Sequence, residues 1–198
     1  MGCLAPVAAV GYWVYADELG ANPVDFVTDH LGRWTLRLLL TSLSMTPLRI
    51  LFGLSWPITL RRLLGLFAFF YAGLHFSVWI VVDHFFDWRE MGTDIVKRPY
   101  ITVGMSALLL LLPLAATSTT GMIKRLGAHT WRRLHRLVYV IGVLAVLHFL
   151  WLAKVGVVDP YYYAGWLALA LGIRLWNALR QRASKRRQRR PAAEHAPA

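Results

Sequence analysis

Residues 63–82 have the sequence LLGLFAFFYAGLHFSVWIVV, without a single lysine, arginine, aspartate or glutamate. A bilayer core of about 30 Å is crossed by about 20 apolar residues in a helix. These residues therefore predict a membrane-spanning helix. Its one histidine, His75, is a candidate functional residue, because ionisable side chains are costly inside a membrane and are usually retained there for function.

The whole chain shares this apolar composition. Of its 198 residues, 57% are hydrophobic and 16% are charged, whereas soluble domains carry about 25% charged residues. We therefore expect an integral membrane protein without a soluble catalytic domain. The one cysteine, Cys3, excludes a disulfide framework, a thiolate zinc cluster and an iron–sulfur centre. With no Cys-x-x-Cys-His run, any haem must be bound non-covalently.

Five further apolar segments give a predicted all-α bundle of six membrane spans. They are residues 3–16, 34–54, 100–118, 137–153 and 161–177. The segment 137–153 extends back to about residue 131. The first segment is short, so we expect its true start to lie upstream of Met1, and Pro47 is expected to break the second. Residues 1–177 then form one transmembrane domain, and residues 178–198 form a basic, disordered tail.

The charge pattern predicts the orientation of these spans. Most of the 22 lysines and arginines lie between spans two and three, between spans four and five, and after span six, and nearly all of the 10 acids lie in the other loops. Because cytoplasmic loops carry the basic excess, both termini are predicted to be cytoplasmic. The basic residues 180–190 are typical of a topology anchor that contacts membrane lipid, so we do not interpret them as a nucleic-acid site.

Two histidines lie at similar depth in the predicted bundle. His75 follows Arg62, and His148 follows Arg136, by nearly the same number of residues on helices that run in the same direction. Two imidazoles at one depth on neighbouring helices meet the requirement of a six-coordinate haem iron that transfers electrons. The alternative is that each histidine forms a hydrogen bond with a neighbouring helix.

Two other residues are candidates for a role at a cofactor. His135 lies about 20 Å along the helix from His148, so it cannot bind the same iron. A second haem and a structural or propionate-binding role both stay open for it, because Arg61 occupies the position of an inner histidine on the third span. Arg37 is a candidate partner of a haem propionate, with snorkelling to the interface as the alternative. The remaining histidines are expected to be solvated: His30, His84, His129 and His195.

Several motifs occur in a characteristic order along the chain. They are TPLR at 46–49, RRLLGL at 61–66, FYAGLH at 70–75, KRPYITVG at 97–104, TST at 117–119 and LHRLVY at 134–139. Over about residues 22–177, the chain resembles the MsrQ (YedZ) family. These proteins are the haem-binding membrane subunits of the bacterial periplasmic methionine sulfoxide reductase system, within the ferric-reductase-like transmembrane superfamily.

The resemblance implies six spans in the bacterial inner membrane, with b-type haem and a flavin mononucleotide (FMN). The family's haem histidines fall on His75, His135 and His148. The resemblance also implies that quinol or a cytoplasmic flavin reductase supplies electrons to the periplasmic, molybdopterin-bearing partner MsrP, which repairs oxidised proteins. The chain is then an electron-transfer subunit rather than the catalytic one. NADPH oxidases of the superfamily carry a further histidine where Arg61 stands here, so one haem is expected and a second stays open.

Two other functions remain open from the sequence. The first is a stand-alone ferric or quinone-linked reductase that needs no periplasmic partner. The second is a small transporter or proton conductor that uses His75 and His148 as a relay without haem. A haem spectrum distinguishes the second alternative from the electron-transfer subunit.

Overall fold

The computed structural model describes residues 2–153 and 156–194, and each regular element in those ranges is a helix. A 3-10 turn at Gly2–Leu4 comes first, and a π-helical turn at Trp79–Asp83 extends the third α-helix. The α-helices are α1 (Ala5–Tyr15), α2 (Pro23–Phe52), α3 (Pro57–Val78), α4 (Trp88–Lys97), α5 (Pro99–Ala116), α6 (Thr120–Leu126), α7 (Ala128–Leu134), α8 (Leu137–Leu152) and α9 (Asp159–Glu194).

Three helical segments in the described ranges are long and apolar enough to cross a membrane: Pro57–Asp83, Pro99–Ala116 and Ala128–Leu152. Gly2–Tyr15 is a shorter apolar helix. The prediction of an all-α membrane protein is therefore confirmed. The other predicted spans also fall within helices, namely α1, α2 and α9, but the count of six and the cytoplasmic position of both termini stay predictions.

The predicted break at Pro47 is wrong, because α2 continues through this residue to Phe52. Proline has no N–H to donate to the carbonyl four residues earlier, which here is that of Leu43. A guanidinium N–H of Arg174 on α9 donates to the Leu43 carbonyl instead, and another donates to the Tyr139 hydroxyl at 2.6 Å. A side chain from a distant helix thus replaces the missing helical hydrogen bond.

The predicted spans at residues 137–153 and 161–177 have different bounds in the structure. A turn at His135 and Arg136 separates α7 from α8, but the two form one apolar segment, Ala128–Leu152, that agrees with the predicted extension back to about residue 131. α9 continues to Glu194, although residues 178–198 are predicted to be disordered. Arginine, alanine, glutamine and lysine are strong helix formers, which explains the continuation. Residues 195–198 lie outside the described residues, and the domain boundary at residue 177 stays a prediction.

Two pairs of helices form the core. α2 packs along α3, α5 packs along α8, and α3 also contacts α5. α9 packs against α2 and α8, while α1 contacts α2. The fully buried Tyr71 of α3 fixes the N-terminal segment, because its hydroxyl donates to the Cys3 carbonyl at 2.8 Å and accepts from the Val7 N–H at 3.2 Å. The histidine-bearing helices α3 and α8 are thus held by α2 and α5, respectively.

Candidate functional site

His75 on α3 and His148 on α8 are neighbours in the structure. Their ring centroids are 6.3 Å apart, and their ring planes meet at 82°. A metal–imidazole bond of about 2.0–2.1 Å, with the ring centre about 1.1 Å behind the nitrogen, puts the centroids of two imidazoles on opposite sides of one metal about 6.3 Å apart. The separation of the two rings therefore matches that of two ligands on one metal atom.

A backbone carbonyl holds each of the two rings. Nδ1 of His75 lies 2.9 Å from the Thr28 carbonyl oxygen on α2, and Nδ1 of His148 lies 2.7 Å from the Tyr100 carbonyl oxygen on α5. A carbonyl can only accept, so Nδ1 carries the proton in both rings and Nε2 keeps its lone pair. Metal-binding histidines commonly donate their other ring N–H in this way, which fixes the tautomer and the ring orientation.

A glycine lies beside each ring, four residues after the accepting carbonyl. Gly32 follows Thr28 on α2, and Gly104 follows Tyr100 on α5. In an α-helix the glycine N–H donates to that same carbonyl, so the imidazole must share the oxygen with it. A Cβ added at Gly32 would lie 3.1 Å from Cε1 of His75, and one added at Gly104 would lie 2.7 Å from Nδ1 of His148. The missing side chains thus make room for the imidazoles.

Sequence reasoning missed these two glycines, and only Gly104 carries a readable signal. Gly104 ends the KRPYITVG motif, in which Tyr100 stands four residues earlier. Gly32 lies just before the predicted second span, residues 34–54, so the predicted spans do not put it at the depth of a ring. What the sequence does not reveal is which helix faces which histidine.

The two histidines supply only two protein ligands. In the described part of the chain, no group of three or more histidine, cysteine, aspartate or glutamate residues is placed to hold a metal ion. Protein zinc sites use three or four such ligands. Two neutral imidazoles instead fit a metal whose other ligands come from a bound macrocycle, as in haem iron. The residues present therefore fit the cofactor predicted from the sequence.

His135 lies apart from this pair and is already hydrogen-bonded. Its Nε2 is 3.1 Å from Oγ1 of Thr117, and its ring stacks on Trp131 with centroids 4.0 Å apart. The Thr117 hydroxyl donates to the Pro113 carbonyl at 2.6 Å, so it accepts from Nε2 of His135. The nitrogen that points away from the backbone is thus used within the protein.

Arg37 lies on a different face of α2 from Gly32. Five residues separate them, which is a rotation of about 140° on an α-helix. Nε of Arg37 donates to the Tyr163 hydroxyl on α9 at 3.0 Å, and its guanidinium lies 5.0 Å from the centre of the Trp34 ring. The structure therefore places Arg37 against α9, and its predicted contact with a haem propionate stays a prediction.

The histidines predicted to be solvated have different environments. His129 is exposed, as predicted. The prediction is wrong for His84, which is only 6% exposed, because α4 covers it and places Asp94 3.3 Å from its Nε2. It is also wrong for His30, which is half-buried because Trp13 of α1 packs edge-on against its ring. His195 lies outside the described residues.

Comparison with known proteins is consistent with this fold and site. The family model described as "Ferric reductase like transmembrane component" matches residues 31–146. A protein of Rhodospirillum rubrum named "Protein-methionine-sulfoxide reductase heme-binding subunit MsrQ" is 50% identical over 186 residues, which cover 94% of this chain and 89% of the relative. The chain belongs to the MsrQ family. The resemblance found in the sequence motifs is thereby confirmed.

Other MsrQ proteins are similarly close. The MsrQ of Herminiimonas arsenicoxydans is 50% identical over 185 residues, which are 92% of this chain and 84% of the relative. The MsrQ of Ralstonia nicotianae is 51% identical over 162 residues, which are 81% and 75%. The matched family model contains Gly32, His75 and Gly104 and ends just before His148. Most of the candidate site thus lies in the part of the chain that resembles ferric reductases.

Proposed function

We propose that this chain binds one b-type haem between His75 and His148 and serves as the electron-transfer subunit of a methionine sulfoxide reductase system. The observation that carries the proposal is the matched pair of imidazoles, 6.3 Å apart, each tied through Nδ1 to a backbone carbonyl. The names of the MsrQ relatives, which describe a heme-binding subunit, support it.

The protein's contribution to this chemistry is to position the two ligands. A bound haem supplies a one-electron ferric–ferrous couple. His75 and His148 would both hold the haem iron through Nε2, which suits a haem that transfers electrons rather than one that binds oxygen. The Thr28 and Tyr100 carbonyls hold the Nδ1 protons and thereby keep each Nε2 available as a ligand. Because these carbonyls belong to helices, the imidazoles cannot rotate without losing hydrogen bonds.

The proposed topology is that of six spans in the inner membrane with both termini in the cytoplasm. His75 and His148 lie in the second half of α3 and α8, toward the loops that carry the acids. This arrangement supports a position of the pair in the outer half of the bilayer. The chain then takes electrons from quinol or a cytoplasmic flavin reductase and passes them to a periplasmic, molybdopterin-bearing sulfoxide reductase of the MsrP type.

The proposal assigns no second haem and no residues to FMN. His135 is the remaining haem ligand that the family resemblance implies, but its Nε2 is hydrogen-bonded to Thr117. A structural role for His135 is therefore our proposal. FMN stays a cofactor to be tested by extraction from the purified protein.

The first test is the dithionite-reduced minus oxidised spectrum of the purified protein, with haem and FMN counted per chain. We expect a low-spin b-type spectrum and one haem per chain.

The second test adds an MsrP-type reductase and methionine sulfoxide to the reduced protein, which should then be reoxidised. A protein that stays colourless when haem is supplied during expression would contradict haem binding and favour the histidine relay. Haem that is not reoxidised would contradict the proposed partner and leave a stand-alone reductase.

A further inference from the structure

A second site lies between α2 and α9, separate from the histidine pair. It is a cavity of about 490 Å³, a volume within the usual range for small-molecule sites. Its lining combines one arginine and one aspartate with aromatic rings: Arg37, Asp159, Trp34, Tyr162, Tyr163 and Trp166. The cavity is open to the bundle surface, because Tyr162 is 72% exposed.

The positive pole of the cavity is Arg37. Among the described residues, its hydrogen bond to Tyr163 uses only Nε, and its guanidinium carbon lies 5.0 Å from the centre of the Trp34 ring. The two terminal nitrogens therefore keep their N–H donors for a ligand. A guanidinium presented in this way matches two oxygens of a phosphate or carboxylate.

The negative pole of the cavity is Asp159, at the first residue of α9. Arg33 forms an ion pair with Asp159, but it also pairs with Asp29 at 2.7 Å. One cation is thus shared by two carboxylates, and the three groups together keep a net negative charge. A ligand that carries both an anionic and a cationic group is therefore complementary to Arg37 and to the excess negative charge at Asp159.

The aromatic rings fit the same kind of ligand. Tryptophan and tyrosine faces attract ammonium groups, and both residues are enriched at the depth of lipid headgroups. The indole N–H of Trp166 donates to Oγ of Ser44 at 2.7 Å, so this ring is fixed at the cavity wall. Further along α9, Leu169 is 65% exposed and continues an apolar surface on which acyl chains can lie.

We propose that this cavity binds the headgroup of a zwitterionic aminophospholipid, with its phosphate at Arg37 and its ammonium at Asp159. An anion alone, such as free phosphate or a haem propionate, would complement Arg37 but not the excess negative charge of Asp29 and Asp159, which share Arg33. A lipid in this position would join α9 to α2 on the side of α2 opposite the histidine pair. The proposal stands on the cavity alone and does not depend on haem binding.

The test is lipid retention by the detergent-purified full chain, measured by native mass spectrometry. The probes are phosphatidylethanolamine, phosphatidylglycerol, which lacks the ammonium, and inorganic phosphate as a competitor. We expect at least about tenfold stronger retention of phosphatidylethanolamine, equivalent to about 1.4 kcal/mol. Asp159→Asn should reduce this preference without weakening phosphatidylglycerol, and Arg37→Gln should weaken both lipids.

Controls separate the cavity from surface charge and from misfolding. Arg89→Gln and Glu90→Gln change exposed charges of the same signs and should leave retention unchanged. Tyr162→Ala alters only the exposed rim, so it tests the site if an Arg37 or Asp159 variant fails to fold, and it should lower phosphatidylethanolamine retention.

Three outcomes would overturn the lipid site. The first is equal retention of both lipids by the unaltered protein. The second is displacement of the lipid by inorganic phosphate, which would identify a simple anion site. The third is unchanged lipid retention in Arg37→Gln together with a lowered haem potential, which would assign Arg37 to a propionate.

Discussion

The histidines at the two ends of the bundle have different hydrogen bonds. His75 and His148 donate from Nδ1 to carbonyls of neighbouring helices, at 2.9 and 2.7 Å, which leaves Nε2 as a free lone pair. His135 uses Nε2 for Thr117 at 3.1 Å and stacks on Trp131. Of the three, only His75 and His148 therefore keep Nε2 available to bind a metal.

The position of the ring proton decides whether a histidine in this bundle can bind a metal. A ring that donates from Nδ1 presents Nε2 to a ligand, whereas a ring that donates from Nε2 presents only the hindered Nδ1 next to its own backbone. The glycines reinforce this difference, because Gly32 and Gly104 open their helix carbonyls to the first two rings. Variants of these residues test each part of this comparison.

The largest effect is expected from His148→Ala. The variant would leave His75 as the single protein ligand of the proposed pair. We expect the haem content per chain to fall from one to near zero, or the spectrum to become high-spin, while the protein stays in the membrane. A pyridine haemochrome assay on protein purified from membranes measures the haem content, and the absorption spectrum of the untreated protein shows the spin state.

His129→Ala is the matched control, because His129 is exposed and lies outside the pair. Unchanged haem content together with an unchanged low-spin spectrum in His148→Ala would rule out this residue as a ligand. His75→Ala should behave like His148→Ala if the two rings bind the same iron.

A smaller effect on haem retention is expected when alanine replaces Gly104 or Gly32. A Cβ at position 104 would lie 2.7 Å from Nδ1 of His148, whereas one at position 32 would lie no closer than 3.1 Å to His75. His148 cannot move away without losing its bond to Tyr100. Overpacking of this kind costs about 1–3 kcal/mol. Gly104→Ala should therefore lower haem retention during thermal challenge more than Gly32→Ala does.

Gly73→Ala serves as the control, since no atom would lie within 4 Å of its new Cβ. Equal haem retention in the three variants would show that the helix carbonyls do not depend on the glycines for access. A larger loss in Gly32→Ala than in Gly104→Ala would contradict the order of the two distances.

The parts of this arrangement that depend on one helix were predictable from the sequence. The apolar run around His75 predicted α3, and the similar spacing from Arg62 and Arg136 predicted two histidines at one depth. Contacts between distant parts of the chain were not predictable. The Tyr100 carbonyl that orients His148 is 48 residues away, and the Arg174 side chain that lets α2 pass Pro47 is 131 residues from Leu43.

The smallest effect on haem is expected from His135→Ala. This variant removes the bond to Thr117 and the stacking on Trp131, so a loss of stability of about 1–3 kcal/mol is expected. The haem content should stay at one per chain, because His135 does not contact the pair in the described structure. Thermal unfolding and the haemochrome assay separate the two effects. A fall from two haems to one would instead show that His135 exchanges Thr117 for iron, and the inner end of the bundle would then hold a haem of its own.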